Sequence, residues 1–284
     1  MPARLILNFL ENVEKSQSPA KKIIVQCAVL SVRLNSKFLH IISATDSSCG
    51  AGTQQDVRVA MDHNVWPVTT VSGVTAQTFD GVIGVEPVSN KIFEKQLECG
   101  LSFKCGGLKI GALLSIDQMK MVWHYIKKNP ELPVVIDPVF SPTEGRPFYS
   151  AEMQLFLANE LLPLSCLVTP NLEELKILTQ MEVLTVIETV KIIGDKYKGK
   201  PLFYIKGGHE ETASKYIKEY LVGEEIYTLK KARWNLQYTH GTGCAMATAT
   251  ACNIIKGKSI KKSAFRASKY ITNLYKRINR ELCE

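Results

Sequence analysis

No two cysteines of this chain stand at CxxC spacing, and no two histidines stand at zinc-finger distance. A structural zinc site is thereby excluded. The eight cysteines are scattered, several of them in apolar stretches, so a reduced, cytoplasmic protein is expected rather than a disulfide framework. No apolar run approaches the roughly 20 residues of a membrane span, and no membrane partner is expected. Internal repeats and low-complexity tracts are also missing. Three phosphate signatures fail as well. "GKS" at Gly257–Ser259 would need a glycine where Cys252 stands, so it is no P-loop. Gly50 and Gly52 begin a dinucleotide pattern that breaks at Gln55. A protein-kinase GxGxxGxV loop is nowhere present.

What is present is a chain of 284 residues, 45% apolar, with a net charge of +8. That length suffices for one large α/β domain or two small ones. The charge is uneven: residues 253–284 carry nine Lys/Arg against two Glu (+7), residues 1–37 carry six against two (+4), and the middle is 8 − 7 − 4 = −3. A basic C-terminal segment suits nucleic acid or an anionic surface, but a solvated helix face explains it more simply, and nucleic acid is not the expected partner. Residues 1–36 contain "KKIIVQCAVLSVRLN", basic and then apolar, too late for a signal peptide and without its cleavage site. They are read as an extension outside the catalytic fold, which occupies 37–284.

From Phe38 onward, strand-like runs alternate with helical patterns of about 10–15 residues. "FLHIISAT", "WPVTTVSGVTAQ", "LKIGALL", "LPVVIDPV", "SCLVTPN" and "PLFYIKGG" read as strands. Helices are expected near 116–128, 151–162 and 183–197. This rhythm predicts βαβ units and a mainly parallel sheet, with a hairpin over 215–233 and two closing helices. In the last helix Ile260, Ala264, Ala267, Ile271, Leu274 and Ile278 form one apolar stripe. Ligands of such sheets sit beyond the carboxyl ends of the strands, where Asp46, Gln77, Asp137, Asn171 and Lys206 fall.

The segment "THGTGCAMATATAC" (Thr239–Cys252) carries the strongest chemical signal. A helix beginning there presents unpaired N–H groups and a partial positive charge, and Gly241, Thr242 and Gly243 keep the approach open. Such a turn holds a phosphoryl group in transfer. The same field should lower the pKa of Cys244. Lys206 offers a point charge to a phosphate. Asp137, Asn171 and Glu174 are placed to hold Mg²⁺ through waters, with helix capping by Asn171 as the plainer alternative.

From about Phe38 to Arg277 the chain resembles the hydroxymethylpyrimidine/phosphomethylpyrimidine kinases, a branch of the ribokinase-like fold. The matching words are "TDSSCGAGTQQD", "VTTVSGVTAQ", "LKIGALL", "VVIDPVF", "LVTPNLEEL", "IKGGH" and "THGTGCAMATA". The resemblance implies a three-layer α/β/α sandwich. It also implies ATP- and Mg²⁺-dependent phosphorylation of 4-amino-5-hydroxymethyl-2-methylpyrimidine and then of its monophosphate, in thiamine synthesis. By the same resemblance Cys244 is the base, Gly241, Thr242 and Gly243 form the anion hole, and Lys206 with Asn171 meets the nucleotide phosphates. Asp137 and Glu174 are the magnesium-side acids, and Ala44, Asp46, Asp56 and Gln77 face the pyrimidine.

The chain departs from the family pattern at several positions. Ser47 replaces a proline, Cys49 and Ala44 replace glycines, Ala112 replaces a methionine over the ring, and a Gly-Pro-x-x-His tail is missing. A pyridoxal kinase of the same fold is therefore the alternative enzyme. A non-catalytic ligand- or nucleic-acid-binding relative is the alternative from another class. A homodimer is compatible with the sequence without being required by it.

Overall fold

The structure, a computed structural model, describes residues 37–283 apart from 79–80, 141–147, 181–185, 198–199 and 208–214. The extension expected over residues 1–36 lies outside the described residues.

The first apolar run forms β1 (Phe38–Ser43), and a small-residue loop leads into α1 (Gly52–Asp62). β2 (Trp66–Val71) lies parallel to β1, with Phe38 opposite Trp66. The run expected as a single second strand is in fact two. It breaks at Ser72, and β3 (Gly73–Gln77) leaves the main sheet to pair antiparallel with β4 (Val82–Pro87). Gly73 makes this departure feasible, because a Cβ there would sit 2.6 Å from the Glu86 carbonyl oxygen.

The chain continues through α2 (Asn90–Leu101), β5 (Leu108–Ile110), α3 (Ile116–Lys128) and β6 (Val134–Ile136). Ser89 and Ser115 cap α2 and α3 by accepting from Ile92 N and Gln118 N. The helix expected over 151–162 starts as α4 (Ala151–Phe156), widens into a π turn (Leu157–Leu161) and tightens into a 3₁₀ turn at Pro163. β7 (Leu167–Val168), α5 (Leu172–Thr179), α6 (Val186–Tyr197) and β8 (Leu202–Ile205) follow. The predicted hairpin is β9 (Tyr216–Val222) with β10 (Ile226–Ala232). α7 (Thr242–Ile255) and α8 (Ile260–Cys283) close the chain. Gly257, at φ +79°, ends α7, and Ser259 caps α8 through Lys262 N.

The main sheet runs β10-β9-β8-β7-β6-β5-β1-β2, parallel from β2 to β8 and antiparallel at β9 and β10. Strand alternation sends Ile42, Leu108, Ile110, Val134, Ile136, Phe203 and Ile205 into one core with α2–α6. Leu39, Ile41, Val135, Leu167 and Tyr204 point the other way, onto α1, α7 and α8. The result is a three-layer α/β/α sandwich with a mainly parallel sheet, as the resemblance implied. The α8 stripe packs into the second core. Two lysines of its opposite face, Lys261 and Lys276, lie over the rings of Tyr227 and Trp234. Among the described residues no helix is long and apolar enough to cross a membrane.

Candidate active site

The chain order reverses between β1 and β5, the point where sheets of this kind place a ligand crevice at the carboxyl ends of the strands. Ladder hydrogen bonds continue past the strands: Gly111 N to Ile42 O, Asp137 N to Ile110 O, Thr169 N to Ile136 O, and Lys206 N to Pro170 O. Ile136, Val168 and Ile205 face the α2–α6 core, so the next residue of each strand faces α7. This places Asp137, Thr169 and Lys206 together. Lys206 Nζ donates to Asp137 Oδ1 at 3.1 Å and lies 3.5 Å from Glu174 Oε2, while Thr169 Oγ1 donates to the same Asp137 oxygen at 3.0 Å. Burial opposes every charge in this group. For Lys206 the two carboxylates outweigh it and raise the pKa. For Asp137 the ammonium groups of Lys206 and Lys109 outweigh it and hold the carboxyl below its ordinary range. In Glu174 burial wins, and its pKa is raised.

The Gly241–Cys244 turn faces this cluster. Gly241 is the N-cap, at φ +79°, and a Cβ on it would clash with the Gly50 carbonyl at 1.9 Å. A Cβ on Gly243 would lie 2.9 Å from Lys206 Nζ and 3.4 Å from Asp137 Oδ2. Ala245 N is the first amide to close a helical bond, to Gly241 O, and Thr242 N donates to Thr239 O. The N–H groups of Gly243 and Cys244 donate to nothing among the described residues, and this open helix end lies beside Lys206 and Asp137. α8 supports the turn from behind: Tyr275 OH donates to His240 O at 2.7 Å, and Asn279 bonds Tyr238 at both its N–H and its C=O.

Three sequence expectations, at Cys244, Asp56 and Asp46, need correction, and Asn171 takes the plainer role foreseen for it. Burial pushes the Cys244 thiol up to about 12, with Lys109 opposing and Asp137 and Asp56 reinforcing the rise, so the expected lowered pKa does not hold. Asp56 does not reach the crevice: it has no exposed surface, and its carboxylate is taken by Lys109 and Thr248, both at 2.6 Å. Asp46 is spent on its own loop, accepting from Ser48 N, Ser48 Oγ, Ala51 N and His240 Nε2. Those bonds outweigh burial and keep its pKa low. Asn171 is the N-cap of α5 in a reciprocal box with Glu174, which leaves only its Nδ2 to meet a nucleotide.

Gln77 ends β3 at the crevice, its amide nitrogen 2.8 Å from His240 Nε2. Ala44 and Ala112 stand two residues past the paired Ile42 and Ile110 and are nearly buried. Cys49 sits at φ +59°, which explains why glycine is the family habit there.

Sequence reasoning missed two residues. His240 joins the Gly241–Cys244 turn to the β1–α1 loop through Nε2 and Asp46, with the Gln77 amide of β3 packed against the same nitrogen, and its only signal was its place before Gly241. Lys109 lies fully buried in β5, and a lysine inside an apolar strand was the signal.

The family model described as phosphomethylpyrimidine kinase matches residues 46–281. The hydroxymethylpyrimidine/phosphomethylpyrimidine kinase of Haemophilus influenzae is 29% identical, covering 84% of this chain and 90% of that protein. The pyridoxal kinase from Staphylococcus aureus, solved in complex with AMP-PCP and pyridoxal, superposes with a TM-score of 0.75 at 27% identity, over 85% of this chain and 88% of that one. The phosphomethylpyrimidine kinase from Clostridium difficile 630 gives 0.72 at 25% identity, over 84% and 99%.

Proposed function

The chain belongs to the phosphomethylpyrimidine kinase family, and from that premise we propose that it transfers the γ-phosphoryl group of ATP to 4-amino-5-hydroxymethyl-2-methylpyrimidine and then to its monophosphate. The observation that carries this reading is a helix start whose Gly243 and Cys244 amides have no backbone acceptor among the described residues, set with Gly243 close against Lys206 and Asp137. A phosphoryl group between them would meet backbone donors on one side and an ammonium on the other. Catalysis then rests on positioning and charge neutralisation.

Asp137 and Glu174 both approach Lys206, and among the described residues no group of three or more acidic, His or Cys side chains gathers as a metal cage. Two carboxylates without a cage fit Mg²⁺, which keeps waters and shares phosphate oxygens. Asp137 and Glu174 would hold it, and it would supply charge neutralisation to the phosphates. Lys206 and the Nδ2 of Asn171 are the proposed nucleotide contacts. Gln77, Ala44 and Ala112 are the proposed walls for the heteroaromatic ring.

Cys244 is a thiol in the resting protein, because its pKa is pushed up to about 12. The small thiolate fraction takes the alcohol proton late, as the hydroxymethyl oxygen bonds to phosphorus. The second acceptor is a phosphate oxygen that is already ionised, so that step needs no base.

Pyridoxal kinase is the second reading. It is supported by the likeness to the S. aureus enzyme and by Ala112 standing where a methionine would cover the ring. ATP consumption measured with hydroxymethylpyrimidine, its monophosphate and pyridoxal tests both. Turnover of pyridoxal alone would overturn the pyrimidine assignment. Free thiols and the lack of a spanning helix among the described residues suit a reduced, cytoplasmic setting.

A further inference from the structure

In β5 the α7-facing position falls between Ile41 on β1 and Val135 on β6, both buried and apolar. Alternation calls for a third aliphatic there, and the chain places Lys109, with no exposed surface. Its ammonium pairs with Asp56 Oδ2 at 2.6 Å, and the other oxygen of Asp56 accepts from Thr248 Oγ1 at 2.6 Å. Thr248 lies four residues beyond Cys244, on the same face of α7. The pair is therefore anchored one turn below the sulfur.

Room for the ammonium is left by Gly111, where a Cβ would sit 2.9 Å from Lys109 Nζ. The groups acting on Cys244 come from every packed element: Lys109 from β5, Asp137 after β6, Asp56 and the Gly52 N–H from α1, Lys206 after β8, and Tyr275 from α8. Burying an ion pair commonly costs more than its attraction returns, and an aliphatic pair of similar volume packs at least as well. Stability gives no reason for a lysine at this position.

We propose that Lys109, fixed by Asp56 and Thr248, is a positioning residue for phosphorylation of the alcohol: it holds a permanent positive charge beneath Cys244 while the sulfur is anionic. The inference rests on the proposed function. In the step it serves, the Cys244 thiolate takes the hydroxymethyl proton as the oxygen–phosphorus bond forms. The bond from phosphorus to the ADP oxygen breaks, its electron pair leaving with ADP. The sulfur ends as a neutral thiol, and Lys109 neither gains nor loses a proton.

The test replaces the pair together, Lys109→Met with Asp56→Asn, in the full chain, so that no lone charge is left buried. Two quantities are read. One is the rate of Cys244 alkylation by iodoacetamide without nucleotide, followed by peptide mass spectrometry from about pH 6 to pH 10. The other is kcat for the pyrimidine alcohol and for its monophosphate. Lys109 favours the Cys244 thiolate and Asp56 opposes it, so the double variant reads the surplus of the nearer charge: Cys244 alkylation at a given pH should slow about threefold or more and the alcohol kcat should fall in the same proportion, while the phosphate kcat stays within about twofold. Equal loss in both kinetic steps, or unchanged alkylation, overturns the proposal.

Should the double variant fail to fold, Thr248→Val keeps both charges and loosens their anchor. It should lower the alcohol kcat alone, by about threefold or more, and an equal effect on both acceptors again overturns the proposal. If the wild-type protein phosphorylates neither pyrimidine, the functional reading fails, and the alkylation comparison still decides the role of Lys109.

Discussion

Gly243→Ala separates the anion turn from the fold. A Cβ at this position meets Lys206 Nζ at 2.9 Å and Asp137 Oδ2 at 3.4 Å. Ordinary contact would need Lys206 to withdraw by roughly half an ångström to an ångström, because the lysine tip is the flexible partner. Gly243 lies within α7 and is not among the positive-φ glycines, so alanine brings no backbone strain. Alanine in place of a helical glycine stabilises by about 0.5–1 kcal/mol. Stability and catalysis should therefore move in opposite directions. A misplacement of about 1 Å in a catalytic group costs on the order of 10²-fold, or about 2.7 kcal/mol of transition-state stabilisation. Because the same turn would serve both acceptors, kcat should drop ~100-fold for the alcohol and for the monophosphate alike, with Tm unchanged or higher. The assays are coupled ADP release with each substrate and thermal unfolding of the same preparations. A variant that keeps activity within about threefold of wild type on both acceptors would show that the phosphoryl group does not pass between Gly243 and Lys206.

Cys244→Ala should cut phosphorylation of the alcohol by about 10²–10⁴-fold and spare the monophosphate, read as separate initial rates; equal loss would refute a base acting on the alcohol. The raised thiol pKa adds a pH signature. The alcohol kcat should climb with unit slope from neutral pH toward about 12, while the phosphate step stays flatter. Glu174→Gln keeps the capping box, since Gln also serves at that position, so Tm should hold while the magnesium concentration for half-maximal rate rises several-fold. His40 gives an acid-lability prediction. It is buried between Tyr125 and Thr70, and burial lowers its pKa from 6.5 to about 4. The neutral ring favours the fold, so its contribution is complete above pH 6.5 and is lost as pH falls toward 4. The loss is on the order of 3 kcal/mol, readable as a drop in urea midpoint that a His40→Gln variant lacks.

The amino-acid order alone determined the strands of the main sheet, the helices near 116–128, 151–162 and 183–197 and the apolar stripe of α8, because burial on one face writes a period into local sequence; α2 and α5 were not legible in it. It also marked Asp137, Lys206 and Gly241–Cys244, since each ends a strand or opens a helix, where unpaired backbone and ligand chemistry gather. Only the tertiary structure decided what these groups feel. Cys244 reads as an activated thiol at a helix mouth, but its ionisation depends on Asp137, Asp56 and Lys109, which come from three other segments. The resemblance offered Asp56 and Asp46 as substrate contacts; packing gave one to a buried lysine and the other to its own loop and His240. The break at Ser72 was invisible for the same reason. Both halves of that run are β-formers, and they part because the first pairs with β1 and the second with β4. Local pattern fixes which backbone forms, whereas the charge and orientation of a side chain are set by neighbours that are distant in sequence and near in space.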